Sequence, residues 1–391
     1  MATDYVGSAK PLKGIRVVEM GSSIAGPYGA WVFSELGAEV IKVEDPNGGD
    51  ATRNWGPKNA HGNSAVFEAL NNGKKSIVVD LKSEADVNAL RAFIINSVDV
   101  VMQNLRPGFT DKIGLGQQAL IAAKPSLIYC DLGAYGKGGE LSFLPGYDPL
   151  MQGFTGIAQG TGTEHGPSRV CAPVTDLLTG IWAVMGALSA LLVRKDTGKG
   201  SAIDVSLMES GIALMTLYIA GFQSTGERPE RKGLQGPLIA PNGGFETKDG
   251  LLMIVCGTNS LFSKLCLAMD APELLDDERF AAGPVRFANR AELRIALEGY
   301  LRKKTRAEWL TILSQAGVPA SPVNHVDEMM EEAQAQSVDI LRTLNGSVDP
   351  FQTARLPIRF NGQRAEYEAT APELGEHTES LLRAHHRRTG L

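Results

Sequence analysis

A carboxylate at the head of an apolar helix is the group in this chain best placed to do chemistry. Asp176 lies in Ala172-Pro173-Val174-Thr175-Asp176-Leu177-Leu178-Thr179-Gly180, and the run IWAVMGALSALLVRK that follows, residues 181–195, is apolar almost all round. It closes on a basic pair and a Gly-rich stop, the pattern of a buried helix with a polar end. A carboxylate at its start faces free backbone N–H groups and the positive end of the helix dipole, which favour the ionised form. Such a group can take an acyl group as a nucleophile. Its plain reading is a helix cap, because Asp is a common N-cap.

Polar groups elsewhere give Asp176 company. GYDPLMQGFTG (residues 146–156) supplies Tyr147 and Asp148, whose plain reading is a turn after Pro145-Gly146, and GKGSAIDVSLMESGI (198–212) follows the helix. Arg53, Lys74, Lys75, Arg106, Lys112 and Lys137 fall in or beside loops at the ends of apolar runs. Each alone reads as a solvated surface charge. Their recurrence on one side suits a phosphate-bearing ligand. The six His are not spaced as metal ligands, and Cys130, Cys171, Cys256 and Cys266 are scattered through apolar runs without zinc spacing, so they read as buried free thiols.

These groups must be carried by regular elements. GIRVVEM (14–20), a Gly-rich turn at 21–27, a helical pattern to Leu36 and EVIKVED (39–45) make a βαβ unit of the kind that binds nucleotides at its first turn. No GxGxxG follows the first strand, so NAD is not expected. SIVVDL (76–81), VDVVMQN (98–104) and SLIYCDL (126–132) continue the alternation. The fold class expected is α/β: a Rossmann-like large domain with a mostly parallel sheet, and a smaller α+β domain. The large domain is expected over 1–215, a linker over 216–238, the small domain over 239–325, and a linker and return over 326–391. GFETKDGLLMIVCG (244–257) reads as a hairpin opening the small domain.

Composition bounds the partners. With 391 residues, 43% hydrophobic, and 38 basic against 44 acidic residues, the chain offers no general field for nucleic acid or an anionic membrane. The N-terminal MATDYVGSAKPLKG lacks the apolar core of a signal peptide, which makes a reducing cytoplasm the expectation. The stretch 177–193 approaches a membrane-spanning length, but Thr179, Gly180, Gly186 and Ser189 interrupt it, and a core helix is the better reading.

Taken together, the segments around Asp148, Asp176 and Asp204 resemble the class III coenzyme A-transferases, the CaiB/BaiF family, and the resemblance runs from Leu12 to about His377. It implies that Asp176 is the nucleophile, with Tyr147 and Asp148 beside it, and that coenzyme A or its thioesters are substrates with no tightly bound cofactor or metal. It further implies that Ser22, Ser23 and Ile24, Lys75, and Asn104, Leu105 and Arg106 line the coenzyme site, with Lys112 and Lys137 as further basic groups. Arg53 and Trp55 match positions near the acyl pocket, where Arg53 could hold a second carboxylate of a dicarboxylic acid such as succinate. Gly243 and Gly244 stand where some members carry a mobile glycine lid; a hairpin entry is the alternative. Family members form interlocked homodimers.

Two departures qualify the resemblance. Related α-methylacyl-CoA racemases carry His where this chain has Tyr147, and formyl-CoA:oxalate transferases carry Gln where it has Ile24, which argues against oxalate as acceptor. Three readings follow: a transferase passing coenzyme A through an aspartyl anhydride and an aspartyl thioester on Asp176, with succinyl-CoA a candidate donor; a 2-methylacyl-CoA racemase or epimerase; and a coenzyme-binding protein without turnover.

Overall fold

Apolar runs with β-branched residues set the large sheet. In the computed structural model, which describes residues 10–58, 64–344, 351–365 and 370–383, these runs become β1 (Arg16–Met20), β2 (Glu39–Glu44), β3 (Lys75–Val78), β4 (Val100–Gln103) and β5 (Ile128–Gly133). Between them lie α1 (Ala25–Glu35), α2 (Ala65–Asn71), α3 (Glu84–Ser97), α4 (Phe109–Lys112) and α5 (Gln117–Ala123). Next come α6 (Asp148–Phe154), α7 (Ile157–Gly160) and a ribbon of β6 (Gly162–Thr163) with β7 (Gly166–Pro167). The long α8 (Val174–Thr197), β8 (Ala202–Ser206), α9 (Leu207–Leu214) and α10 (Thr216–Thr225) complete the first half.

The six strands run parallel in the order β3-β2-β1-β4-β5-β8. Strand order reverses between β1 and β4, so a crevice opens at the carboxyl ends of these two strands, where ligands of such sheets gather. Side chains alternate across the sheet. Val17, Val40, Met102 and Cys130 face α1 and α8, whereas Val18, Ile41, Ile77 and Val101 face α3 and α5.

Two glycines set the α1–α8 crossing. A Cβ on Gly180 would lie 2.8 Å from the carbonyl oxygen of Ala25 and 2.9 Å from the nitrogen of Gly29, so only hydrogen fits. Close approach there brings the first turns of both helices to the carboxyl edge of the sheet. The segment Gly375 to Thr378 closes the outer edge of β3: His377 N donates to Ser76 O at 2.8 Å, and Val78 N donates to Thr378 Oγ1 at 3.0 Å.

The chain divides into two compact units, the first of Met1–Ala158, Arg169–Gly226 and Gln336–Leu391, the second of Gln159–Ser168 and Glu227–Ala335. The expected linker therefore shortens, since residues 216–225 form α10. In the second unit β9 (Asn242–Glu246), β10 (Leu251–Val255) and β11 (Ala320–Pro322) make an antiparallel sheet in the order β11-β10-β9. It packs with α11 (Asn259–Ala268), α12 (Glu273–Asp276), α13 (Gly283–Ala288), α14 (Arg290–Leu301) and α15 (Arg306–Ala316) around Phe245, Ile254, Phe262, Leu297 and Trp309. Thr305 and Glu308 form the capping box of α15. Cys130, Cys256 and Cys266 are buried as expected of free thiols, but Cys171 is exposed, because the irregular chain ahead of α8 keeps it out of the core clusters that hold the other three.

Candidate active site

Asp176 is the third residue of α8, not its cap. The N-cap position belongs to Pro173, which has no side-chain acceptor to offer. That task falls to Asp148, 27 residues away from Thr175: its Oδ1 accepts from Thr175 N and from Thr175 Oγ1, both at 2.8 Å. Its Oδ2 accepts from Gln152 Nε2 at 2.7 Å. Asp148, Gln152, Thr175 and Asp176 are all buried.

This arrangement leaves Asp176 in an unusual state. Among the described residues, no hydrogen bond and no cation reaches its carboxylate. Burial, and then the negative charge of Asp148, push its pKa up to about 7. The expectation that the helix dipole would hold it ionised is therefore reversed, because Thr175 N–H already serves Asp148 and a like charge now occupies the positive end of the helix. A largely buried carboxylate with its pKa near neutrality and no protein donor among the described residues is suited to attack on a carbonyl.

The first turn, Ser22 to Ile24, sits at the head of α1 on the same edge of the sheet. Ser23 has φ 72°, a left-handed conformation that a serine adopts only under constraint. Two side chains impose it. Asn104 holds both faces of the Ser22 backbone, accepting from its N–H at 3.0 Å and donating to its carbonyl at 2.9 Å. Asp50 Oδ1 accepts from Ser23 N at 3.4 Å and from Thr52 N and Thr52 Oγ1 at 2.8 Å.

Beneath the turn lies a closed set of charges. Lys42 Nζ contacts Glu19 Oε1 at 2.6 Å and Asp50 Oδ2 at 2.7 Å, while Lys74 Nζ contacts Glu19 Oε2 at 2.8 Å. Lys74 also donates to Pro27 O and Asn71 Oδ1, each at 2.8 Å. Burial pulls Lys42 down, but Glu19 and Asp50 together outweigh it and hold the ammonium above its ordinary value. For Lys74 burial and the neighbouring Lys42 charge win, and its pKa falls to about 8.

Two hollows open at the carboxyl edge. One, of about 340 Å³, lies over β1, β2 and β3 and is lined by Ser22, Asp50, Val79, Lys82 and Phe109 among others. The other, of about 950 Å³, lies over β4, β5 and β8, with Gln103, Asp131, Lys137, Asp204 and Glu209 in its wall. Leu105 lines both. The profile of CoA-transferase family III matches residues 12–378.

The chain belongs to CoA-transferase family III. It is 34% identical to the mouse succinyl-CoA:glutarate CoA-transferase over 378 residues, covering 96% of this chain and 86% of that protein. It is 35% identical to the acetyl-CoA:oxalate CoA-transferase of Acetobacter aceti, over 95% of each. The crystal structure of a CaiB/BaiF family protein from Brucella suis superposes with a TM-score of 0.88 at 35% identity, over 96% of this chain and 99% of that one. The chain is thus an enzyme of this family, with its α/β fold.

Within this transferase the residues expected at the site fall into three groups. Asp176, Asp148, Ser22, Ser23, Ile24, Asn104 and Leu105 come to the carboxyl edge of the large sheet. Tyr147, 60% exposed at the N-cap of α6, precedes Asp148 directly, and Trp55 is 38% exposed beyond the short helical turn Ala51–Asn54. Arg106 and Lys112 are exposed near α4, outside the walls of both hollows.

Four expectations change. Arg53 does not present a free fork: its Nε and Nη2 hold Glu44 at 2.8 and 2.7 Å, Nη2 also donates to Pro372 O, and the guanidinium lies 3.8 Å from the Phe67 ring centre. Lys75 begins β3 and so stands at the amino edge, paired with Glu39 at 2.6 Å beside Arg16. Lys82, beyond the carboxyl end of the same strand, is the lysine that lines the smaller hollow, and reading the strand's direction from its neighbours would have found it. Lys137 lies in the larger hollow but is tied to Asp131 at 3.1 Å and to Asp204. Gly243 and Gly244 lie inside β9, paired with Ile254 and Met253 of β10, with the Gln235 and Leu234 side chains filling the space a Cβ would need.

Proposed function

We propose that this enzyme carries coenzyme A from an acyl-CoA to a second carboxylic acid through covalent intermediates on Asp176. The observation that carries the reading is a buried carboxylate with no donor or counter-ion among the described residues, raised to about 7, at the ligand edge of the sheet. An Asp176 oxygen attacks the thioester carbonyl, the C–S bond breaks, and an aspartyl–acyl anhydride and CoA thiolate result. The thiolate then attacks the aspartyl carbonyl, releasing the donor acid and leaving an aspartyl-CoA thioester. The acceptor carboxylate runs the sequence in reverse, so thioester energy is kept. Exclusion of water protects both intermediates.

The names of the relatives point to dicarboxylic acids on at least one side, and succinyl-CoA and acetyl-CoA are the first donors to try. The argument from Ile24 against oxalate meets an oxalate transferase among the relatives, so oxalate belongs in the same panel. Racemisation would need acid and base groups on both sides of a carbon. Asp148 is spent on Thr175 and Gln152, and position 147 carries a phenol in place of the racemases' imidazole.

A homodimer is part of the proposal. The α10 helix buries none of its residues within the chain, and Leu217 is 82% exposed; α8 likewise leaves Met185, Leu192 and Val193 open. This α8 is long and apolar enough to cross a membrane, but its inner face carries Thr175, Asp176 and Thr179 against the core. A second copy covering the outer faces of α8 and α10 accounts for them. Four free thiols suit a reducing cytoplasm.

The test is intact-protein mass after incubation with each thioester, followed by hydroxylamine. An adduct on Asp176 that Asp176→Asn does not form supports the reading. Undiminished turnover in Asp176→Asn ends it.

A further inference from the structure

Gln152 is a wholly buried polar side chain to which the transfer chemistry gives no part. From the middle of α6 it reaches both ways. Its Nε2 donates to Asp148 Oδ2 at 2.7 Å and to Val170 O at 3.2 Å, with a longer contact of 3.5 Å to Ala172 O. Its Oε1 accepts from Val170 N at 2.9 Å. The stretch 170–172 is the irregular chain that delivers α8, and Asp148 caps that helix through Thr175. The same hydrogen-bond chain runs on through Thr175 O to Thr179 Oγ1 at 2.7 Å and from there to Ser210 Oγ on α9 at 2.7 Å.

Burying an amide costs free energy unless every polar atom is met, and an apolar side chain of equal volume would avoid that cost. Here each polar atom of Gln152 is met either by Asp148, one turn back on α6, which caps the helix that carries Asp176, or by the 170–172 backbone that leads into that helix. A satisfied buried network of this kind fixes one geometry. Among the described residues Asp176 itself has no hydrogen bond to aim it, so its direction depends on the backbone that carries it.

We propose that Gln152 is a positioning residue for Asp176: by clamping the 170–172 segment to Asp148 it fixes the first turn of α8, and with it the line along which the carboxylate meets the thioester. The inference rests on the reading of Asp176 as the acylated group. A misplacement of about 1 Å in a reacting group costs on the order of 100-fold in rate. Binding of the coenzyme, by groups elsewhere on the sheet edge, should not feel it.

The elements packed against α8 carry other titratable groups, namely Tyr28, Glu35, Tyr129, Cys130, Asp131, Asp204 and Glu209; among the described residues Asp148 is the one whose charge acts on Asp176. A charge introduced at position 152 would stand directly beside Asp148.

Two variants of the full chain test this, read by the single-turnover rate of adduct formation on Asp176 and by half-saturating acyl-CoA. In Gln152→Met the rate falls on the order of 100-fold while half-saturation stays within about threefold. Gln152→Glu keeps an acceptor for Val170 N and adds a negative charge, so the acid limb of the rate moves to higher pH, because Asp176 must be ionised to attack. Wild-type rates in folded Gln152→Met overturn the proposal, and so does a defect confined to half-saturation. Should that variant not fold, an unshifted acid limb in Gln152→Glu overturns it alone. A wild-type enzyme that forms no adduct on Asp176 is a different result: it removes the functional reading and takes this inference with it.

Discussion

Two buried charged corners stand at the carboxyl edge of the same sheet, and they are built on opposite principles. Under the first turn, Glu19, Asp50, Lys42 and Lys74 balance one another, two negative against two positive. At the head of α8, Asp148 and Asp176 are two negative groups with no cation recorded between them among the described residues. A balanced network of this depth holds shape, here the left-handed Ser23. An unbalanced one stores electrostatic free energy that a reaction can release, because acylation of Asp176 removes a charge the fold disfavours.

The largest expected effect breaks the unbalanced corner. Asp176→Asn should lower turnover by at least about 10⁴-fold, since no neighbouring group replaces the nucleophile. The same variant should be more stable than wild type at pH 8, by a few kcal/mol at most. The sign follows from the raised pKa: the folded state favours the protonated carboxyl, so its contribution is fully present below about pH 4 and is lost as pH rises through about 7. Thermal unfolding at pH 4 and pH 8 checks it, the gain appearing only at the higher pH. A gain equal at both would mean that Asp176 is not strained by its charge.

The balanced corner should respond in the opposite sense. Lys42→Met leaves Glu19 and Asp50 with Lys74 alone, and stability should drop by about 3–5 kcal/mol. Denaturant unfolding measures this directly. Loss of less than about 1 kcal/mol would place the network nearer to solvent than its burial indicates.

Between these lies Asp148→Asn, which removes the like charge and keeps one oxygen for Thr175. Ionisation of Asp176 becomes easier, so the acid limb of kcat/KM should move to lower pH. The amide now faces the Gln152 donor, and a stability cost of about 1–3 kcal/mol should accompany the shift. A pH profile that does not move would remove Asp148 from the electrostatics of the site.

What the sequence disclosed follows the range of the interactions. Five strands of the large sheet announce themselves as apolar runs, because each is buried on both faces. The sixth, β8, does not: only Ser206 in it is buried, and SAIDVS carries a weak apolar signal. The position of Asp176 could be seen from its apolar helix and its company. Its charge state could not, since that depends on Asp148 claiming the Thr175 N–H from 27 residues away. Arg53 also looked free, because its partner Glu44 ends β2 nine residues earlier and only the fold of the turn between them brings the two together. Cys171 differs from the three buried thiols in joining no core cluster, which composition does not report.

The smallest predicted effects separate two lysines on one strand and its exit. Lys75 opens β3 at the amino edge, its side chain 39% exposed in a pair with Glu39, so Lys75→Ala should cost less than about 1 kcal/mol in stability. It should also leave the half-saturating acyl-CoA concentration unchanged. Lys82, past the carboxyl end, lines the hollow beside Ser22 and Asp50, where a phosphate of the coenzyme would need a cation. Lys82→Ala should raise half-saturating acyl-CoA several-fold, more at low ionic strength than at high, with kcat nearly unchanged. The direction of a parallel strand, rather than the presence of a basic residue, then decides which lysine meets the ligand. If Lys75→Ala raised half-saturation and Lys82→Ala did not, the coenzyme would have to approach from the amino edge, and the smaller hollow would lose its assigned ligand.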